Sequence, residues 1–225
     1  MLIAEDLLLL VTDDASGRLS APVAQVDAGL GGANLVELAL LNKVALSGEQ
    51  DQGKPGRLTV RDPSPPGDAV LDAALQIVGA HQGRKPSTVI RPLSKNLRQT
   101  LYQRLADGGV VRAERGRILG IFPDHRWPAQ DASHEMEVRR LVTQALVQQV
   151  APDARTAALI ALLHALKCEH KIVDPGQYGL SRRELGARAE EIAKGNWVSE
   201  AVRKAIEETT AAVLAATTAA TAGGG

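Results

Sequence analysis

The sequence predicts a mainly α fold, a single compact helical domain in which central apolar helices are ringed by amphipathic ones, with short β-hairpins between them. Three observations lead there. Of 225 residues only five are aromatic (Tyr102, Phe122, Trp127, Tyr178 and Trp197), so the core has to be built from Leu, Val, Ile and Ala, which suits packed helices better than a β-sandwich. Leucines recur at helical spacing, as at Leu93, Leu97, Leu101 and Leu105. Leu159, Ile160, Leu162 and Leu163 lie in a segment that is apolar almost all round, as a central buried helix would be. The hydrophobic fraction of 44% and charged fraction of 23% are those of a chain that buries a real core. The domain is taken as residues 1–218, with 219–225, rich in Ala and Gly, as a flexible low-complexity tail.

The elements follow in order. Glu5 and Asp6 suit the N-terminus of a short helix carrying Leu7 to Val11, which Asp13-Asp14-Ala15-Ser16-Gly17 breaks. A second helix spans about 25–41, burying Leu30, Leu35, Leu38 and Leu41, with Gly29, Gly31 and Gly32 as a point of kinking or restart. Short strands at 43–46 and 58–60 flank a Gly- and Pro-containing loop, and the rigid connector 63–67 leads to Asp68, which begins a helix to Ala80. A helix following Pro92 carries the leucine stripe and ends at Gly108-Gly109. Val110-Val111 and 118–122 are expected as strands around a turn at Glu114-Arg115-Gly116-Arg117. Asp131 or Ser133 caps a helix to about Val150, Asp153 starts the apolar helix through Leu166, and closing helices cover 181–194 and 198–218.

Most enzyme chemistry has no motif behind it. There is no Gly-x-Ser-x-Gly elbow and no Walker loop; Gly29 to Asn34 half-matches a dinucleotide fingerprint but lacks its third glycine and its strand. His164 and Cys168 stand four apart with Glu169 and His170 following, yet no further ligand pair completes a metal site, so no metal, no cofactor and no catalytic centre are expected. Cys168 is the lone cysteine, which points to a reducing compartment. The first residues lack a basic n-region, and no apolar run approaches the roughly 20 residues of a spanning helix, so any membrane contact is expected to be peripheral. The net charge is zero, but between Arg84 and Arg126 ten basic residues meet only three acids, a net +7 that can present one face to an anionic surface.

Three stretches, taken in order, resemble the Golgi phosphoprotein 3 family. They are Ala4-Glu5-Asp6-Leu7-Leu8-Leu9-Leu10, then Ala28-Gly29-Leu30-Gly31-Gly32-Ala33-Asn34-Leu35-Val36-Glu37-Leu38-Ala39-Leu40, then Leu97-Arg98 through Leu105 to Val111 with a hairpin ending in Phe122-Pro123. The resemblance covers Leu2 to about Ala216. It implies a non-enzymatic adaptor or scaffold, bound peripherally to the cytoplasmic face of a membrane through phosphatidylinositol 4-phosphate, and able to engage membrane-protein tails. The use of 18 Arg against 8 Lys, with many Ala, suggests a bacterial, actinobacterial-type source. The resemblance also implies a headgroup pocket. Its Trp position falls on Pro22 and its turn Arg on Gly31, while its two helix cations fall on Lys95 and Arg98 and stay basic. Selectivity for the 4-phosphate is therefore expected to be modest.

From the residues themselves, Lys95 and Arg98 are three apart on one helix face, Arg91 is next to them, and free amides at Gly31 and Gly32 could add to a phosphate site. In the hairpin, Ile118, Leu119, Ile121 and Phe122 are bracketed by Arg115, Arg117, Arg126 and Trp127, a pattern that suits shallow insertion into an anionic interface. The alternatives are packing on the chain's own core or a homo-oligomer contact, and insertion is narrowly preferred to assembly. A basic helix followed by a basic hairpin also has the outline of a winged-helix nucleic-acid binder. The apolar hairpin and zero net charge disfavour nucleic acid as the partner.

Overall fold

The computed structural model describes residues 1–48, 54–118, 122–194, 208 and 210–218, and for 115–118 and 122–125 the backbone alone. The fold is mainly helical and forms a single domain. At its centre lies α1 (Ile3–Leu10), every residue of which is buried. Its acids close a capping box: Glu5 Oε2 accepts from the Leu2 amide at 2.8 Å. The helix α2 (Val23–Leu40) packs on α1 and on α7 (Ala154–Ala165), whose apolar surface is buried as its all-round pattern requires. Burial of each large side chain in this centre contributes about 1.5–3 kcal/mol.

Acids buried with these helices are paired. Asp6, 3% exposed, accepts from Arg155 Nη2 at 2.8 Å and bonds His134 Nε2 at 2.8 Å, while Glu37 takes Arg155 Nη1 at 2.9 Å and the Ile3 amide at 2.7 Å. Arg104 bridges Glu5, at 3.0 Å, and Asp68, with both terminal nitrogens at 2.9 Å. Asp68 is also the N-cap of α3 (Ala69–Ala80), and Asp153 caps α7 by accepting from the Thr156 amide at 2.7 Å, as both were expected to do. Strands β1 (Val44–Leu46) and β2 (Leu58–Val60) pair antiparallel, Val44 opposite Val60.

The expected kink in α2 is absent: the helix runs through its glycines without a break. A Cβ at Gly29 would stand 2.7 Å from Leu166 Cδ1, and one at Gly31 would stand 2.7 Å from the Ile90 carbonyl oxygen. These glycines serve close packing rather than bending.

The single helix expected after Pro92 is instead two. Pro92 lies inside α4 (Ser87–Ser94), Lys95 is extended, Asn96 is left-handed with φ 58°, and α5 (Leu97–Asp107) follows. Asn tolerates that conformation better than most residues. The break lets Val89, Ile90 and Leu93 pack toward α2 while Leu97, Leu101, Tyr102 and Leu105 bury toward α1 and α2.

The second hairpin is displaced from its expected register. Residues 114–117, read as a turn, form most of β3 (Glu114–Ile118), which pairs with β4 (Phe122–Arg126) so that Glu114 faces Arg126 and Ile118 faces Phe122. The chain therefore reverses between Ile118 and Phe122, and Val111 makes only an isolated bridge to Ala129. Beyond it come α6 (Ser133–Val147), the short α8 (Glu169–Ile172), a 3-10 turn (Pro175–Tyr178) and α9 (Arg182–Lys194), which packs on α7. Residues 210–218 are again helical; the remainder of the last expected helix and the tail lie outside the described residues. Among the described residues no helix is long and apolar enough to cross a membrane.

Candidate anion site at the junction of α2, α4 and α5

Three helices meet where the sequence placed its cations. Gly31 of α2 comes up against the last turn of α4, its missing Cβ 3.2 Å from the Ser94 amide nitrogen, one residue before Lys95. Lys95 ends α4 and is exposed, Arg91 is exposed in the last turn of the same helix, and Arg98 is the second residue of α5. Lys95 and Arg98 thus flank the left-handed Asn96 and do not project from one helix face. They remain neighbours because the break is tight. Asn96 gives α5 no side-chain cap, so the amides of Leu97, Arg98 and Gln99 stand at the positive end of an eleven-residue helix with no intrahelical acceptor. That is where unbonded amides are found. Gly31 and Gly32, expected to supply them, are buried within α2, in the middle of its hydrogen-bond ladder.

The sequence reading missed one residue of the junction. Arg98 Nε donates to Asp27 Oδ1 at 2.7 Å, with both side chains about one third exposed (33% and 32%). Asp27 stands on α2 one turn before Gly31, so the packing that brings Gly31 to Ser94 also brings Asp27 to Arg98. No local pattern announces a pair 71 residues apart.

Acids from elsewhere also thin the +7 stretch. Arg98 is met by Asp27 and Arg104 by Glu5 and Asp68, while Arg112 pairs at 2.6 Å with Glu114 of the stretch itself. The Arg104 hydrogen bonds hold the Asp68 carboxyl below its ordinary range and raise the guanidinium of Arg104 in turn. A DNA-reading helix would keep such cations outward, and α5 spends Arg104 on the core. Arg84, Lys85, Arg91 and Lys95 stay exposed along α4 and the turn before it.

The junction is mechanically continuous with the base of the second hairpin. Tyr102, one turn beyond Arg98, shares a 2.7 Å hydrogen bond between its hydroxyl and Thr12 Oγ1, and its ring stacks on Trp127 at 4.9 Å with planes 3° apart. Burial pushes the Tyr102 phenol up. The Trp127 amide donates to the Gly17 carbonyl at 3.0 Å, and Gly17 has φ 63° and backbone atoms of Trp127 and Pro128 within 2.5 Å of where a Cβ would stand, so only glycine fits. Trp127, expected beside a membrane-inserting hairpin, is 8% exposed and belongs to the core. Of the other hairpin residues, Arg115, Arg117, Ile118 and Phe122 lie on β3 and β4, where the backbone is described, and Leu119 and Ile121 lie outside the described residues.

Next to that base, burial and the nearby Asp14 carboxylate push the Glu135 carboxyl up to about 7, against the pull of Arg139, whose Nη2 donates to it at 2.6 Å. Cys168 is buried, which raises its thiol to about 12, and His164 Nδ1 is 3.4 Å from Glu169 Oε1. Among the described residues no group of three or more His, Cys, Asp or Glu side chains is placed to hold a metal ion.

Residues 3–209 match the family model described as Golgi phosphoprotein 3 (GPP34). The chain is also similar to vacuolar protein sorting-associated protein 74 of Eremothecium gossypii, with 26% identity over 224 residues, 84% of this chain and 66% of that protein. It spans just under two thirds of that relative's length. The comparison lends no support to the bacterial source expected from the Arg bias. With nearly all of the chain inside one family model, and with the three helices that carry its motifs packed together, the chain belongs to the Golgi phosphoprotein 3 family.

Proposed function

We propose that this protein is a peripheral adaptor or scaffold that docks on an anionic membrane face, with Arg98, Lys95 and Arg91 meeting lipid phosphate, and that it carries out no catalysis. The observation that carries the reading is the α4–α5 break, which has exposed Arg91 and Lys95 on one side and the partly exposed Arg98 with the uncapped amides of Leu97, Arg98 and Gln99 on the other. Charge-assisted bonds to phosphate are the strong ones, and a helix start adds its own positive end. Family membership supports the same reading, since the resemblance implies phosphatidylinositol 4-phosphate as ligand and a sorting adaptor as role. A sorting role here would place the protein on the cytoplasmic face, with membrane-protein tails as partners and a second copy of the chain as a further candidate.

The pocket departs from the family's at two positions. Pro22 offers no aromatic ring to cover a headgroup, and an Arg at Gly31 would drive its Cβ into the Ile90 carbonyl oxygen. Preference for the 4-phosphate over other anionic lipids is accordingly modest in this proposal. Co-sedimentation with phosphatidylcholine vesicles, with and without phosphatidylserine or phosphatidylinositol 4-phosphate, tests the reading. Binding should require the acidic lipid and weaken as salt shortens the screening length to about 8 Å at physiological strength. Equal recovery on neutral vesicles would overturn it, and co-sedimentation with duplex DNA instead would favour the nucleic-acid reading.

A further inference from the structure

We propose that Asp27 sets the strength and selectivity of this junction by competing with the headgroup for Arg98. The inference rests on the reading of the junction as an anion site. The Arg98 guanidinium carries five N–H donors, and its Nε donates to Asp27 Oδ1 at 2.7 Å. Among the described residues that is the hydrogen bond its side chain makes, so Nη1 and Nη2 remain for a ligand. The two partners differ in freedom. Asp27 is short and stands on α2, which is pinned on either side by Val26, Ala28 and Leu30 in the core and by the Gly31 contact with α4. Arg98 is long and stands on the first turn of α5. A bound phosphate therefore meets a guanidinium already held by one edge, with a fixed carboxylate behind it.

Two consequences follow for the ligand. The Arg98–Asp27 pair carries no net charge, so net attraction comes from Lys95, Arg91 and the positive end of α5. A phosphodiester headgroup such as phosphatidylserine brings a single phosphate charge and two free phosphate oxygens, and meets the smaller repulsion from the Asp27 carboxylate. A phosphomonoester brings about −1.5 to −2 charges at neutral pH and three acceptor oxygens, enough to span the Arg98 terminal nitrogens, Lys95 and the α5 amides together. Asp27 repels that larger charge more, because Coulomb energy scales with the charge a carboxylate faces, and so it holds down the preference for a phosphomonoester.

The test is Asp27→Asn, which keeps an oxygen acceptor for Arg98 Nε and removes the charge. Its partner control is Glu137→Gln, which makes the same change of net charge at an exposed acid on α6 that is paired with Arg140. Vesicles of phosphatidylcholine carrying either phosphatidylserine or a phosphomonoester lipid are compared for wild type, Asp27→Asn, Glu137→Gln and Arg98→Ala. Asp27→Asn should gain roughly two- to fivefold on the phosphomonoester, the range to which the worth of a partly exposed ion pair converts, and gain less on phosphatidylserine, widening the ratio. Glu137→Gln should move neither, and Arg98→Ala should lose both. Asp27→Asn equal to wild type, with Arg98→Ala weakened, removes this inference alone. A gain in Glu137→Gln as large as that in Asp27→Asn also overturns it, because overall charge would then suffice. Arg98→Ala equal to wild type removes the reading of the junction itself. Tight calorimetric binding of inorganic phosphate without vesicle recruitment would overturn the lipid as ligand.

Discussion

Replacing Gly31 by Ala tests the packing on which the junction depends. A Cβ there stands 2.7 Å from the Ile90 carbonyl oxygen, and to reach the 3.4 Å of ordinary contact α4 must withdraw by roughly 0.7 Å. The obstructing atom is backbone, so no rotamer change relieves it, and the buried Val89, Ile90 and Leu93 must move with the helix. Overpacking of this kind costs about 1–3 kcal/mol, while Ala in place of Gly within a helix returns about 0.5–1 kcal/mol. The net expectation is a loss of about 0–2.5 kcal/mol. Gly79 in α3 provides the control, because a Cβ there meets nothing within 4 Å, so Gly79→Ala should gain about 0.5–1 kcal/mol. At about 2–4 °C per kcal/mol for a chain of this size, the two variants should melt on opposite sides of wild type. Circular-dichroism melts, with urea midpoints at unchanged m-value, read both. Gly31→Ala melting above wild type, as Gly79→Ala does, would refute the close approach of α2 to α4.

Other consequences are as specific. Arg155→Met takes the guanidinium from two nearly buried acids, leaving Asp6 with His134 and Glu37 with the Ile3 amide; it should cost about 3 kcal/mol in urea denaturation, and an unchanged midpoint would show that the network is idle. Glu135 holds its proton in the folded state up to about 7, above the ordinary 4.5, so its stabilisation is complete below about 4.5 and lost as pH rises through about 7. Glu135→Gln should flatten that fall in stability, and an identical slope in wild type and variant would contradict the assignment.

How much of this was legible beforehand depended on the range of the signal. Asp68 and Asp153 announced α3 and α7 because an N-cap acts over three residues, and the Leu-rich first helix needed only its neighbouring acids. The α4–α5 break was hidden because the leucine stripe runs across it: Leu93 and Leu97 keep helical spacing while Asn96 turns the chain between them. Glycine misled at three points, the first being the kink expected in α2, which runs unbroken. Gly116 was read as turn and lies in β3 opposite Asp124, and Gly31 was read as an open amide and is a packing contact. Asp27 and Trp127 were out of reach, since their partners Arg98 and Tyr102 meet them only through tertiary packing. Both bear on the site, one by opposing its charge and the other by tying it to the hairpin base.

The central claim, that Lys95 and Arg98 hold the protein on anionic lipid, is tested most directly by comparing wild type with the Lys95→Ala/Arg98→Ala double variant on acidic vesicles at low salt. Each cation near a charged leaflet contributes about 1 kcal/mol, so the pair, allowing for the Asp27 carboxylate, should account for about a tenfold loss of affinity. The two side chains are exposed and one third exposed, so the melting temperature should hardly move. A double variant that melts with wild type and loses its vesicle binding is the result expected; one that still sediments with acidic vesicles as wild type does would contradict the account.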